Sequence, residues 1–155
     1  MQLKGSALAA LAAALPLAMA GAQVATVDYS DAGTVPGRWS YVSVAGGSEA
    51  RFTDSGGAIR FLIGCARATR RVTVARTSGA PGATLSLWTT DATRDLPARF
   101  EQNAMRVSAQ LAAYDPLLDA IAFTRGRIAL SMPGSPALVL APGPEAARVI
   151  EDCRA

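Results

Sequence analysis

The alternation of apolar and polar positions is sharpest over Ala58 to Cys65, AIRFLIGC, where Ile59, Phe61, Ile63 and Cys65 fall on one face and Arg60, Leu62 and Gly64 on the other. A period of two is what a half-buried strand requires, so the pattern predicts a central strand. Glu49 to Thr53 meets it across Asp54-Ser55-Gly56-Gly57, four turn-forming residues between two apolar runs, which predicts a hairpin. Before it, RWSYVSV (Arg38 to Val44) sets Trp39, Tyr41 and Ser43 against Ser40, Val42 and Val44, with the aromatic and β-branched content that favours extended chain. After it, RRVTVAR alternates Val72 and Val74 with Thr73 and Ala75 and predicts a second hairpin. TSGAPGA (Thr77 to Ala83) reads as a loop, and TLSLWTT (Thr84 to Thr90) as a strand with Leu85 and Leu87 on one face and Trp88 on the other. Arg127 to Met132 and Ala137 to Leu140 flank Pro133-Gly134-Ser135-Pro136 and close the set as a last hairpin.

Two stretches change to a helical period. Asp115-Pro116 offers a capping carboxylate and a proline at the first helical position; Leu118, Ile121 and Ala122 follow, and Arg125-Gly126 stops a short helix near 115–124. Near 144–153, Pro144 and Glu145 open a second helix, and Ala146, Val149, Ile150 and Cys153 stand at i, i+3, i+4 and i+7 as a core-facing stripe. Gln23 to Gly37 reads as an irregular lead-in. Asp91 to Arg106 reads as a loop or poorly formed turn, and Val107 to Ala113 fits either element. The sum is one α+β domain, mainly an antiparallel β-sandwich or open barrel.

The N-terminus changes the picture. Met1 to Ala22 has one positive charge at Lys4, an Ala/Leu-rich run and small residues at Ala18, Ala20 and Ala22, the pattern of a secretory signal peptide with cleavage after Ala20 or, preferably, Ala22. The run is short for the roughly 20 residues a bilayer requires and is broken by Pro16, so no stable membrane anchor is expected. That leaves residues 23–155 as a single exported domain, periplasmic or secreted. A content of 50% hydrophobic and 17% charged residues excludes a disordered chain. A formal charge of +3 is too small to imply nucleic acid. Every basic residue after Lys4 is Arg and there is no His, which removes the side chain that titrates nearest neutrality and the commonest imidazole metal ligand.

Candidate chemistry is sparse. In an oxidising compartment, Cys65 and Cys153 are expected to form a disulfide, each on the apolar face of its element; the alternative is two separate buried thiols, and the C-x-x-C spacing of a redox pair is absent. Arg67, Arg70, Arg71 and Arg76 could hold phosphate, a carboxylate sugar or an acidic partner surface through paired hydrogen bonds, or could simply be a solvated strand face that discourages edge-to-edge aggregation. Trp39 and Tyr41 with Trp88 line a pocket or fill the core. The carboxylate pairs Asp91 with Asp95, Asp115 with Asp119, and Glu151 with Asp152 suggest capping or solvent exposure before catalysis. The phosphate loop, the G-x-S-x-G elbow, the zinc-protease helix and the S-x-x-K motif are missing, and no metal or cofactor is expected. These features favour a non-enzymatic binding or envelope-interaction protein whose partner is an envelope protein or an anionic surface. The alternative is a small hydrolase or transferase using carboxylates and Arg.

The segments AAYDPLLDAIAFTRGRIAL and LVLAPGPEAARVIEDCR resemble a group of small exported proteins of Gram-negative bacteria, of unknown function. In that group a D-P-L-L-D-A-x-A-F-x-R-G-R segment precedes a terminal P-E-x-x-R-V-x-E-D-C-R, matched here by Asp115 to Arg127 and Pro144 to Arg154. The order of strand with Cys, Arg-containing strand and final helix with Cys is also similar to periplasmic accessory proteins of type VI secretion and to invasion-associated locus B proteins. This chain lacks the Cys-Gly-Trp type of ending. The resemblance implies export and an architecture, and no activity.

Overall fold

The computed structural model describes residues 27–155, so the expected signal peptide and both cleavage positions lie outside the described residues. Four strands run as an antiparallel meander: β1 (Gly37–Val44), β2 (Gly47–Asp54), β3 (Ile59–Ala66) and β4 (Arg71–Thr77). The chain then leaves for β5 (Thr84–Thr89) and β6 (Thr93–Pro97), and returns through the short β7 (Arg99–Glu101) to β8 (Arg106–Ala112), which pairs with β4. After α1 (Pro116–Phe123), the hairpin of β9 (Ile128–Met132) and β10 (Ser135–Leu140) joins β5, and α2 (Pro144–Asp152) ends the fold. The result is an α+β sandwich of two antiparallel sheets, ordered β1-β2-β3-β4-β8-β7 and β10-β9-β5-β6.

The core lies between the sheets and is built by the period-two face of each strand. Phe52, Phe61, Ile63, Val72, Val74 and Val107 come from the larger sheet, and Leu85, Leu87, Leu130 and Leu140 from the smaller. Trp39 packs edge-on against Phe52 and Phe61, with ring centroids 5.6 and 5.9 Å apart, an arrangement aromatic quadrupoles favour. Helix α2 packs across β1, β2 and β3 and against α1. Its Ala146, Val149 and Ile150 are buried, and a fully buried Val or Ile side chain contributes about 1.5–3 kcal/mol. Cys153 follows them into the same core and is bridged to Cys65, with Cα atoms 5.4 Å apart. Backbones converge beside this bridge: a Cβ at Gly47 would collide with the Cys65 carbonyl, so only glycine fits there.

Two expectations need correction, and one open reading is settled. Ile59 does not share the inner face with Phe61, because the register shifts between Phe52 and Thr53 and turns Ile59 outward to 40% exposure. Asp91 to Arg106 is not a loop: it holds β6, β7 and a single 3-10 turn at Gln102–Ala104. Val107 to Ala113, which suited either element, is strand through Ala112. The helix starts stand where their caps put them, with the Asp115 carboxylate accepting from the Leu117 amide at 2.9 Å and Pro116 at the first helical position.

Candidate functional site

The tight connection from β3 to β4 carries Arg67 and Arg70, and Arg71 opens β4 on the outward period beside buried Val72. The turn is specified by backbone bonds: the Arg67 amide donates to Gly46 O at 3.0 Å, and Arg70 O accepts from the Ala113 amide at 3.1 Å. Arg70 has a positive φ of 49°, a conformation a non-glycine residue adopts at a cost unless its surroundings hold it there. All three guanidinium groups are exposed, and among the described residues none is in an ion pair, whereas Arg51, Arg60, Arg94, Arg106 and Arg154 are. Exposed Arg148 of α2 lies over the Tyr41 ring, 3.9 Å from its centroid.

Arg76 does not belong with them. It shares the inner period of Val72 and Val74, is only 7% exposed, and crosses to the other sheet, donating to Leu130 O at 2.8 Å and Pro136 O at 2.6 Å. Its acceptors flank an irregularity in the β9–β10 register. Burial disfavours the charged form and pulls its pKa below the ordinary value, a pull that the nearby Arg60 charge reinforces. The guanidinium is a cross-layer tie and is not available to a ligand.

Near the arginine turn, Asp152 was expected to face solvent and instead closes a small polar network. Its Oδ2 accepts from Ser48 Oγ at 2.6 Å and from Tyr41 Oη at 2.7 Å, and Ser48 is fully buried. The Ser48 hydrogen bond holds the carboxyl below its ordinary 3.8, against the opposing effect of desolvation, with further help from Tyr41, Arg67 and Arg148. A depressed carboxylate pKa gives stability that is fully present above the unfolded value and is lost as pH falls through the folded one. Asp152→Asn is therefore expected to cost about 1–3 kcal/mol at neutral pH and to lose part of that deficit, relative to wild type, as pH falls well below the ordinary 3.8. Urea unfolding of both proteins at the two pH values checks this; an unchanged difference would remove the carboxylate from the account.

The remaining carboxylates and aromatics separate. Asp115 caps α1 and accepts from Arg94 at 2.6 Å, Asp119 pairs with Arg154 at 2.8 Å, and Asp95 accepts from Ser86. Arg94 and Asp95 border one groove, but their charged ends are engaged in different directions. Trp39 and Tyr41 lie on the core side of β1, while Trp88 sits on the opposite face of the smaller sheet, edge-on to Tyr29 at 5.7 Å. The three aromatics therefore do not line one pocket. Among the described residues no three His, Cys, Asp or Glu side chains gather as metal ligands, and no helix is long and apolar enough to cross a membrane.

No known protein family, characterised protein or solved structure matches the chain significantly.

Proposed function

We propose that this chain is an exported, periplasmic protein without enzymatic activity that meets an anionic surface of the envelope through Arg67, Arg70 and Arg71. The observation that carries this reading is the gathering of three exposed guanidinium groups on and beside one strained turn, none in an ion pair among the described residues, next to the strand whose Cys65 is bridged to Cys153. Unpaired Arg presents a planar fork of donors that fits phosphate or carboxylate oxygens bidentately. A stapled β-sandwich suits an oxidising compartment, and the likeness to small exported Gram-negative proteins points the same way. The hydrolase or transferase alternative has less support, because the carboxylates of its candidate pairs Asp115, Asp119 and Asp152 are already engaged with backbone amides, Arg or hydroxyls.

The test is sedimentation of the purified chain with envelope vesicles. Retention is expected at low ionic strength and loss at about 1 M salt, where the screening length falls to ~3 Å. Arg70→Ala with Arg71→Ala is expected to weaken retention severalfold, since each exposed charge contact is worth roughly 0.2–1 kcal/mol. Unchanged retention at low ionic strength would reduce the turn to a wet edge.

A further inference from the structure

The outer face of the smaller sheet carries a second constellation, remote in kind from the arginine turn. Leu85, Leu87, Leu96 and Leu130 take the inner period of their strands, so Ser86, Trp88, Asp95 and Ser131 take the outer one. Register sets them in two rows across three strands: Ser131, Ser86 and Asp95 are cross-strand partners, and so are Ala129, Trp88 and Thr93. Neighbours within a row are ~4.8 Å apart, and the rows are separated by two residues, ~7 Å. The lead-in then builds a wall over one side. Tyr29 stands edge-on to Trp88 and is held by a turn in which the Ala32 amide donates to Tyr29 O at 3.1 Å, and by Arg127 donating to Ser30 O. The groove so formed encloses about 360 Å³, at the lower end of small-ligand sites.

Its chemistry narrows the occupant. Asp95 Oδ1 takes the Ser86 hydroxyl, while Oδ2 has no partner among the described residues and can only accept. The Ser86 hydroxyl, its proton given to Asp95, can still accept, and those of Thr93 and Ser131 can donate and accept. A phosphate or carboxylate ligand would face Asp95 as a like charge, whereas Arg94, which also borders the groove, spends its charge on Asp115. An apolar ligand would strand Asp95 and the hydroxyls without partners. What fits is a molecule without negative charge, with hydroxyls around its rim and a C–H face for Tyr29, since Trp88 is only 9% exposed and packs into its own apolar cluster. We propose that this groove binds a short neutral saccharide, with Asp95 accepting from a pair of ring hydroxyls and Ser131 and Thr93 exchanging hydrogen bonds beside it. The site is separate from the arginine turn, so the two stand or fall independently.

The experiment is an amide and indole chemical-shift titration of the isotope-labelled chain with cellobiose, N,N′-diacetylchitobiose and maltose. At least one is expected to give saturable millimolar binding, with shifts confined to the Trp88 indole and the amides of Ser86, Asp95 and Ser131 while the Trp39 indole stays still. Asp95→Ala should weaken that binding by roughly tenfold or more, the cost of a hydrogen bond to a charged group, and Ser131→Leu should abolish it by filling the groove. The triple replacement of Arg67, Arg70 and Arg71 by Ala should leave it unchanged. Absence of saturable shifts with all three sugars overturns the proposal, as does binding that survives both groove variants. Asp95 is exposed on an edge strand, and unperturbed amide shifts in the larger sheet will verify that its replacement folds.

Discussion

Arg76→Ala is expected to lower the unfolding free energy by about 2–5 kcal/mol, more than the combined replacement of exposed Arg70 and Arg71. The reason is geometric. Leu130 O and Pro136 O each accept from the guanidinium, and Ala would leave both carbonyls facing a void where the side chain had been. The buried Leu130 O without a donor costs about 1–3 kcal/mol, the part-buried Pro136 O less, and the lost packing adds to it. Arg76→Met would recover volume but no donor, so it should fall between Ala and wild type. Urea unfolding with an unchanged m-value measures the effect. A loss within about 0.5 kcal/mol, typical of a surface change, would falsify the cross-layer role.

Cys153→Ser is the second large effect, expected at about 2–5 kcal/mol. The bridge spans 88 positions, and in the chain-entropy model the stabilisation grows with the loop it closes. Without it, α2 is held by Ala146, Val149, Ile150 and the Asp152 bonds to Ser48 and Tyr41. Thiol titration of the denatured, unreduced proteins gives an independent readout: no reactive thiol in wild type and one, Cys65, in the variant. Two reactive thiols per wild-type chain would mean that the bridge does not form.

What could be read from the chain, and what could not, follows from how many neighbours each element needs. The β2–β3 hairpin and both helix starts were legible because Asp54 to Gly57, Asp115-Pro116 and Pro144 act locally. The disulfide was legible because each cysteine falls on the apolar period of its own element. By contrast, β6 is an edge strand in which only Leu96 is buried, so TRDLP shows no alternation even though its backbone is paired. Arg76 was misassigned although the signal was present: it continues the inner period of Val72 and Val74, and its nearness to Arg70 and Arg71 in sequence concealed this. The Asp152 network had no local signal at all, since Tyr41 and Ser48 lie 111 and 104 positions away. The outer groove depends on the β5–β6 and β5–β9 registers, which no single segment encodes.

The pairing of β4 with β8 is the one contact in the larger sheet that joins strands distant in sequence. Thr77 pairs with Arg106 and Arg71 with Ala112, so the larger sheet cannot zip hairpin by hairpin from β1 to β7. The excursion that makes β5 and β6 must first loop out and return. Closing that loop spends entropy before its contacts form, so this step is expected to be slower than the hairpins. The strands on which α2 docks, β1, β2 and β3, are joined by consecutive hairpins and do not include β8. Cys65 and Cys153 belong to that local surface, so closure of the bridge is not expected to wait for β8 to join β4.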